Sequence, residues 1–351
     1  MVHHQHHQIH VAALDCEAPC NSVYVKRGLF SSQFRVLLQA AAERLNKNVS
    51  NQLRHGPIKL HVSGFDAVGR TLPPLDCLRT EPRTSAESTG GPFSPIDAIV
   101  VSGSAASAYD QLPWIAELLS FIQTVYTHYP HVKLFGSCFG HQIIAQALLS
   151  TPTSDVPATH TFSVQPASTG FEMGIQPIKL DPQFTEYFPP LAKVAAKGPF
   201  RIQLVHMDQV LPTPQARDAA VSAGRPSVSL PAPWLNLGSS AVCPIQGLYY
   251  PGRVLTYQGH FEFDTFVNGE LMVEFGAHAD WPAEQIDHYV KQVHVARVPG
   301  QDEDDDDSKA AAEAVVLFFA GENSEASRAS SQEMHGLMTP PLEQPEVFAT
   351  S

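Results

Sequence analysis

Short runs of apolar residues recur through the first half of the chain. They lie at residues 9–14, 58–62, 96–101 and 132–135. Each run is a few residues long and lacks a polar alternation, which is typical of a strand that is buried on both faces. These four runs therefore predict strands in the interior of the protein.

Apolar positions three and four residues apart lie between these runs and predict helices. Ser31 and Ser32 can cap the first helix, and residues 142–149 continue the pattern after the fourth strand. The two clearest sets are Phe34, Leu37, Leu38, Ala41 and Leu45, and Ile115, Leu118, Leu119, Ile122 and Val125. This alternation of strand and helix predicts an α/β fold with a mostly parallel sheet and flanking helices.

Prolines interrupt the second half of the chain. Residues 211–233 are rich in proline and small residues and are interpreted as an inserted loop. Strand-like runs return at 247–250 and 254–257, and a helical pattern starts at about residue 283. We therefore predict a single domain over residues 9–298.

The two ends of the chain have a different composition. Residues 1–8 are rich in His and Gln and have no hydrophobic period, so we predict a disordered N-terminus. An acidic run at 302–307 is followed by a helical pattern near 310–319 and by a Ser-, Pro- and Glu-rich end. We expect residues 299–351 to form an acidic, largely disordered tail.

Charge and length exclude some classes of partner. The 351 residues carry 22 Lys and Arg against 35 Asp and Glu, a net charge of −13. Nearly half of that charge comes from the acidic run at 302–307. This balance argues against nucleic-acid binding. No run approaches the roughly 20 apolar residues that span a bilayer, so we expect no membrane association.

The cysteines and histidines indicate the cellular compartment and bear on whether the chain binds a metal. The five cysteines are too few for a disulfide scaffold, and their number is odd. The N-terminus has no recognisable secretory signal, so a reducing, cytoplasmic location with free thiols is expected. The histidines of residues 1–10 lack a Cys or carboxylate to complete a ligand set, and we predict no metal site.

The sharpest chemical pattern is Gly-Ser-Cys-Phe-Gly at residues 136–140, between a predicted strand and a predicted helix. A nucleophile on so tight a strand-to-helix turn requires small residues two positions before and after it. The turn would expose Cys138 at the end of the sheet and at a helix N-terminus, which favours the thiolate. The alternative is a buried cysteine between two incidental glycines.

A base for this thiol is predicted in Gly-His-Phe-Glu, directly after the strand at 254–257. Glu262 is close enough to His260 to fix its tautomer, which leaves the other nitrogen to face the sulfur. The metal set of His260, Glu262 and Asp264 lacks further ligands at a suitable spacing.

Acyl transfer also needs donors for the oxyanion. The backbone N–H of Phe139 supplies one beside the nucleophile. The turn at Gly103 and Ser104, which ends a neighbouring strand, can supply the other. The alternative for that turn is an ordinary connection between a strand and a helix.

Six segments of the chain together resemble a known family. In order they are IHVAALDCEAP, VVSGS, AYDQLPWI, GSCFGHQ, VHMDQV and GHFEF. They resemble the motifs of class I glutamine amidotransferase domains, which have a flavodoxin-like fold. The first and third are similar to the stand-alone branch, which includes γ-glutamyl peptidases and fungal amidotransferase-like proteins.

The resemblance implies roles for several residues. Cys138 would be the nucleophile, His260 the base and acid, and Glu262 the carboxylate that orients it. Family members bind the glutamine side chain beside the position of Gln142. The backbone of the VHMDQV loop, which contains Val205 and His206, would hold the amino-acid end of the substrate.

Two positions depart from the family pattern. Phe261 stands where the family has proline between the final His and Glu, and Ser104 replaces the second glycine of the oxyanion turn. Neither change removes a catalytic group.

The resemblance implies a cofactor-independent enzyme that hydrolyses γ-glutamyl amide bonds through a γ-glutamyl thioester. The first hypothesis is a stand-alone hydrolase of glutamine or of a γ-glutamyl peptide such as a glutathione conjugate, within a specialised metabolic pathway. The second is a glutaminase subunit that delivers ammonia to a separate synthetase, because no nucleotide-binding motif is visible in this chain. The third is a non-catalytic binding protein with the same fold.

Overall fold

Strands and helices alternate along the chain in the computed structural model. It describes residues 7–49, 53–83, 94–150, 162–222, 224, 228–301 and 303–323. The strands are β1 His7–Asp15, β2 Ile58–Asp66, β3 Ala98–Val101, β4 Lys133–Ser137, β5 Phe162–Pro166, β6 Glu172–Ile175, β7 Lys179–Leu180, β8 Gln203–His206, β9 Asp208–Pro212, β10 Leu235–Asn236, β11 Gly238–Ser239, β12 Leu248–Tyr250 and β13 Val254–Tyr257.

The helices lie between and after these strands. They are α1 Asn21–Arg27, α2 Phe30–Val49, α3 Pro113–His128, α4 Phe139–Ala145, α5 Pro182–Thr185, α6 Pro189–Ala195, α7 Pro214–Ser222, α8 Thr265–His278, α9 Ala283–Val293 and α10 Ser308–Ala320. One π-helical turn, Gln146–Ser150, continues α4.

A sheet of seven strands in the order β10-β12-β13-β4-β3-β1-β2 forms the centre of the protein. Strands β2, β1, β3, β4 and β13 pair in parallel. Strands β12 and β10 pair antiparallel at one edge. The predicted α/β fold with a mostly parallel sheet is therefore confirmed.

The two faces of this sheet bury alternate residues of each strand, as the pleat requires. Val100 and Phe135 pack on the side of α2 and α10. Their neighbours Ile99 and Leu134 pack on the side of α3 and α4. Because both faces are covered, the inner strands are continuous apolar runs, and this explains why the sequence pattern identifies them.

The domain extends beyond the predicted boundary at residue 298. Helix α10 packs against the sheet with Val315 and Phe318 fully buried (0% exposed). Its apolar residues surround the whole helix, and such a helix is stable only when it is buried. The expectation of a largely disordered tail from residue 299 is therefore wrong for residues 303–323, while residues 324–351 lie outside the described part of the chain.

The acidic run before α10 contributes to the attachment of this segment to the domain. Asp304 accepts hydrogen bonds from the backbone N–H and the Oγ1 of Thr265, at 2.7 and 3.0 Å. Asp307 accepts one from the backbone N–H of Arg201 at 2.8 Å. These carboxylates therefore bind backbone groups of the domain, which a solvated linker would not do.

Two other predicted segments also differ. His7 and Gln8 belong to β1 and pair with β2, so the predicted disordered N-terminus at 1–8 is too long; residues 1–6 lie outside the described residues. The predicted loop at 211–233 contains the end of β9 and helix α7. Within the described residues, no helix combines the length and the apolar character needed to cross a membrane.

Candidate active site

Cys138 lies on the turn between β4 and α4 with a backbone φ of +50° and ψ of −108°. This left-handed region is uncommon for a residue with a side chain and stores strain of roughly 1–3 kcal/mol. A Cβ at Gly140 would lie 2.1 Å from the carbonyl oxygen of Val101, and one at Gly136 would lie 2.4 Å from the backbone of Gly140. Both glycines are therefore required for this turn.

The sulfur of Cys138 faces a cavity of about 510 Å³. Its Sγ lies 3.6 Å from the carbonyl oxygen of Val205 and 3.7 Å from Nε2 of Gln258. Gly103, Ser104 and His260 line the same cavity. The structure therefore brings the predicted nucleophile, base and oxyanion turn to one place.

His260 is held from two sides and is almost completely buried (1% exposed). Its Nδ1 lies 2.8 Å from Oε1 of Glu262. Its ring stacks on Phe263 at a centroid distance of 3.9 Å and an angle of 6°. The hydroxyl of Ser137 donates to the same Oε1 of Glu262 at 2.7 Å. These contacts fix the direction of the imidazole.

The second nitrogen of His260, Nε2, is buried and has no hydrogen-bond partner among the described groups. Burial lowers the pKa of His260, but the negative charges of Glu262 and of Cys138 outweigh burial and raise the pKa to about 10. The ring is therefore close enough to the sulfur to feel its charge, and it favours the imidazolium form.

Of the predicted oxyanion residues, Phe139 is next to Cys138 in the chain, and Gly103 and Ser104 line the same cavity. Phe139 follows Cys138 as the first residue of α4, and its buried ring contacts Trp114. Gly103 lies against the imidazole, since a Cβ there would be 2.8 Å from Cε1 of His260. Ser104 accepts a hydrogen bond from the backbone N–H of Ala106 at 3.1 Å. Any side chain larger than that of glycine at position 103 would therefore displace the imidazole.

The three residues predicted to bind substrate also line the cavity. Gln142 donates from Nε2 to the carbonyl oxygen of Asp208 at 2.9 Å and to Oε1 of Gln258 at 3.3 Å. Val205 presents its carbonyl oxygen to the sulfur. The side chain of His206 is directed to Glu172, with 3.0 Å between Nε2 and Oε2. The roles of these residues stay predictions.

Several side chains around the site were not anticipated from the sequence. Ser137 orients Glu262, Gln258 lies between Gln142 and the sulfur, and Phe263 supports the ring of His260. Each lies within two or three residues of a predicted site residue, so adjacency to the motifs was the available signal. Their side-chain partners, however, come from the tertiary fold.

A second buried polar cluster lies beside the cavity. Ligand-type atoms of Glu172, His206 and Cys243 lie within 4.8 Å of one another. Protein groups already engage these atoms: Gln246 donates to Glu172 at 2.7 Å, and the Cys243 thiol donates to the carbonyl oxygen of Ile245 at 3.3 Å. Burial and the charge of Glu172 raise the pKa of Cys243 to about 12, which keeps the thiol protonated at neutral pH.

Two curated fungal proteins are similar to part of the chain. The chain is 31% identical over 175 residues to "Putative glutamine amidotransferase-like protein C13C5.04" of Schizosaccharomyces pombe, covering 50% of this chain and 56% of that protein. It is 32% identical over 173 residues to "Putative glutamine amidotransferase YLR126C" of Saccharomyces cerevisiae, covering 48% and 54%. The predicted resemblance to the class I glutamine amidotransferase-like family is confirmed.

The chain spans about half the length of the two curated relatives, 56% of the first and 54% of the second. No protein-family model matches it. The crystal structure of SMU.1228c has a TM-score of 0.51 and 14% identity over 89% of this chain and 99% of that chain, which shows a shared fold. A glutamine amidotransferase of Thermotoga maritima has a TM-score of 0.49 and 13% identity over 90% and 98%.

Proposed function

We propose that this chain is a cysteine-dependent hydrolase of γ-glutamyl amide bonds that acts through a γ-glutamyl thioester. The observation that carries the proposal is the unpartnered Nε2 of His260. This buried nitrogen belongs to a ring whose other nitrogen binds Glu262, and the ring shares one cavity with the strained Cys138. A nucleophile, a base and a group that orients the base are the elements that such chemistry requires.

The steps follow from these positions. The Cys138 thiolate attacks the γ-carbonyl carbon of the substrate, and the carbonyl oxygen becomes an oxyanion. The backbone N–H groups of Phe139 and of the turn at Gly103 stabilise that charge. The tetrahedral intermediate expels the amine, which takes a proton from Nε2 of His260, and the γ-glutamyl thioester remains.

Hydrolysis of the thioester uses the same groups. Nε2 of His260, now neutral, accepts a proton from a water molecule as its oxygen attacks the thioester carbon. The C–S bond breaks and glutamate is released, while the thiolate of Cys138 and the imidazolium are restored. Glu262 stabilises the imidazolium in both half-reactions. Gln142 and Val205 line the cavity, which supports the proposal that they bind the glutamyl part of the substrate.

Mass spectrometry of the protein and of its peptides tests the proposal. The full chain is incubated with glutamine and, in parallel, with a glutathione adduct, and is then quenched in acid. We expect an added γ-glutamyl group on the peptide that contains Cys138, together with free glutamate in solution. The Cys138→Ala variant should show neither.

A matched control is available in the same cavity. Cys20 also lines it and is mostly buried, so Cys20→Ala removes a neighbouring thiol and should keep both adduct and glutamate. An adduct on Cys20, or glutamate released by the Cys138→Ala variant, would contradict the proposal. If no γ-glutamyl amide gave an adduct or free glutamate, the result would favour the alternative of a non-catalytic binding protein.

A further inference from the structure

The cavity at Cys138 is larger than a glutamine amide requires. Its volume of about 510 Å³ lies within the range of roughly 300–1,000 Å³ that is typical of sites for drug-sized ligands. The unpartnered Nε2 of the buried His260 lies at its wall. The volume beyond the sulfur is therefore available to the part of a substrate that leaves as the amine.

One face of helix α8 forms a wall of this cavity. Leu271, Glu274, Phe275 and His278 all line it, and their spacing of three, one and three residues places them on the same side of the helix. Asp264 caps the N-terminus of the helix by accepting a hydrogen bond from the backbone N–H of Val267 at 2.7 Å. The wall is thus built on a regular element.

Aromatic and apolar groups dominate the surroundings of that wall. Phe171 lies edge to face with Phe275 at 5.5 Å, and both contact Trp281, at 5.0 and 5.2 Å. Phe30 and Met207 also line the cavity. Such a surface binds an apolar chain or ring by removing it from water.

The charged groups of the cavity are mostly acidic. Glu17, Asp208 and Glu274 line it, and among the described lining residues none is Lys or Arg. Oε2 of Glu17 accepts a hydrogen bond from the backbone N–H of Ala105 at 2.5 Å. Burial raises the pKa of Glu17, and the negative charge of Glu274 raises it further.

Glu17 is partly buried and Glu274 is exposed, and their negative charges repel each other. A cation between them would relieve this repulsion. The histidines that line the cavity make their hydrogen bonds to groups other than these two carboxylates. His206 and His260 are directed to Glu172 and Glu262, and His278 bonds the backbone carbonyl of Glu274.

We infer that the amine released by this site carries an apolar chain or ring together with a positive charge, and no carboxylate. The inference rests on the proposed function, since the cavity is interpreted as the space for the leaving amine. The inference predicts a lower kcat/KM for a glutathione adduct, whose leaving amine carries a carboxylate, than for a γ-glutamyl amide with a cationic leaving amine.

Matched substrates test the inference. Three γ-glutamyl amides of para-substituted benzylamines differ only in the substituent, which is aminomethyl, methyl or carboxyl. The methylene group separates the amide from the ring, so the substituents change charge with little change in the chemistry of the amide. Glutamine serves as the reference substrate, because the ammonia that it releases has no apolar group. Each exposed ion pair contributes up to about 1 kcal/mol, or up to roughly fivefold, so two carboxylates together give up to about 25-fold. We therefore expect kcat/KM for the aminomethyl amide to exceed that for the carboxyl amide by about tenfold.

Charge-neutralising variants identify the groups responsible. Glu17→Gln keeps an oxygen that can accept the Ala105 N–H, and Glu274→Gln keeps the shape of the helix face. Each variant should reduce the preference for the aminomethyl over the carboxyl amide by a few-fold, and added salt should reduce it as well. Glu270→Gln is the control, because Glu270 lies on the same helix but does not line the cavity.

The outcomes separate this inference from the proposed function. Equal kcat/KM for the three benzylamides, with glutamate released from each, would overturn the inference and leave the hydrolase intact. If Glu17→Gln lowered kcat/KM equally for glutamine and all three amides, Glu17 would bind the α-ammonium group that these substrates share. This result too would overturn the inference. Failure of every amide and of glutamine to form an adduct on Cys138 would overturn the proposed function and the inference together.

Discussion

The close approach of Gly103 to His260 allows one methyl group to test the geometry of the site. A Cβ at Gly103 would lie 2.8 Å from Cε1 of His260 and 3.7 Å from each ring nitrogen, so the methyl of Gly103→Ala would meet the ring at its Cε1 edge. The imidazole must recede by 0.6 Å, from 2.8 Å to the shortest ordinary contact of 3.4 Å.

This shift would act on both nitrogens of the ring. Nδ1 is held at 2.8 Å from Glu262, and the face of the ring lies on Phe263. A displacement within the ring plane therefore strains the bond to Glu262 and moves Nε2 relative to the sulfur. Since a misplacement of about 1 Å can cost about 100-fold in rate, we expect kcat/KM to fall by roughly 10- to 100-fold. Crowding of this kind typically costs about 1–3 kcal/mol of stability.

The assay compares kcat/KM for one γ-glutamyl amide with the free energy of unfolding in urea. Gly198→Ala is the control, because a Cβ at Gly198 meets nothing within 4 Å and should change neither quantity. An unchanged kcat/KM in Gly103→Ala, alongside an inactive Cys138→Ala, would refute the role of His260, since the rate would then be insensitive to the position of its ring.

Three further predictions follow from contacts around the site and the core. Ser137→Ala removes a hydrogen bond to Glu262 and should lower kcat about 3- to 10-fold, in line with the roughly 1 kcal/mol of a typical hydrogen bond, with KM unchanged; equal kcat in both proteins would show that Glu262 is held without it. Burial lowers the pKa of His260, but the charges of Glu262 and Cys138 together raise it to about 10, so the alkaline limb of kcat/KM should lie near that value. Glu262→Gln removes one of these charges, and the limb should move to lower pH in a pH–rate profile. A limb that stays in place would exclude His260 as the titrating group. Phe318→Ala should reduce the free energy of unfolding in urea by about 3–5 kcal/mol, because the ring is fully buried; a loss below about 1 kcal/mol would show that α10 is dispensable for the core.

The central sheet could be predicted because its strands are buried on both faces. Ile99 and Val100 point to opposite sides, yet both are completely buried. The run therefore has no polar alternation, and it is bounded by turn residues that mark its ends. Helices α2 and α3 show the complementary spacing because only one side of each meets the sheet.

Helix α10 contradicts the prediction of a disordered tail, which rested on the acidic composition of the preceding residues. The acidic residues before it suggest a solvated segment, and solvated segments usually leave the fold. In the structure Asp304 and Asp307 bind backbone N–H groups, and the apolar helix that follows covers the sheet. A helix that is apolar all round needs a partner surface, and that requirement was a better guide than the charge of its neighbours.

The candidate site was predictable where its geometry is local. The left-handed backbone of Cys138 and the close approach of Gly136 to Gly140 are properties of a five-residue turn, so the local sequence predicts them. The close approach of Gly140 to Val101 also needs the neighbouring strand β3. The same holds for His260 and Glu262, which are two residues apart and directly bonded.

The specificity of the site depends instead on distant segments. Ser137 reaches Glu262 across 125 residues of sequence, and only the parallel pairing of β4 with β13 brings them together. Glu17 follows β1 within the first motif, whereas Glu274 lies on α8 and outside every motif. Their mutual repulsion exists only because the fold places both at one cavity. Under the proposed function, short motifs would encode the reaction class, while tertiary structure would select the charge of the leaving amine. Substitutions at Glu17 and Glu274 should then change the preferred substrate without moving the sulfur or its base.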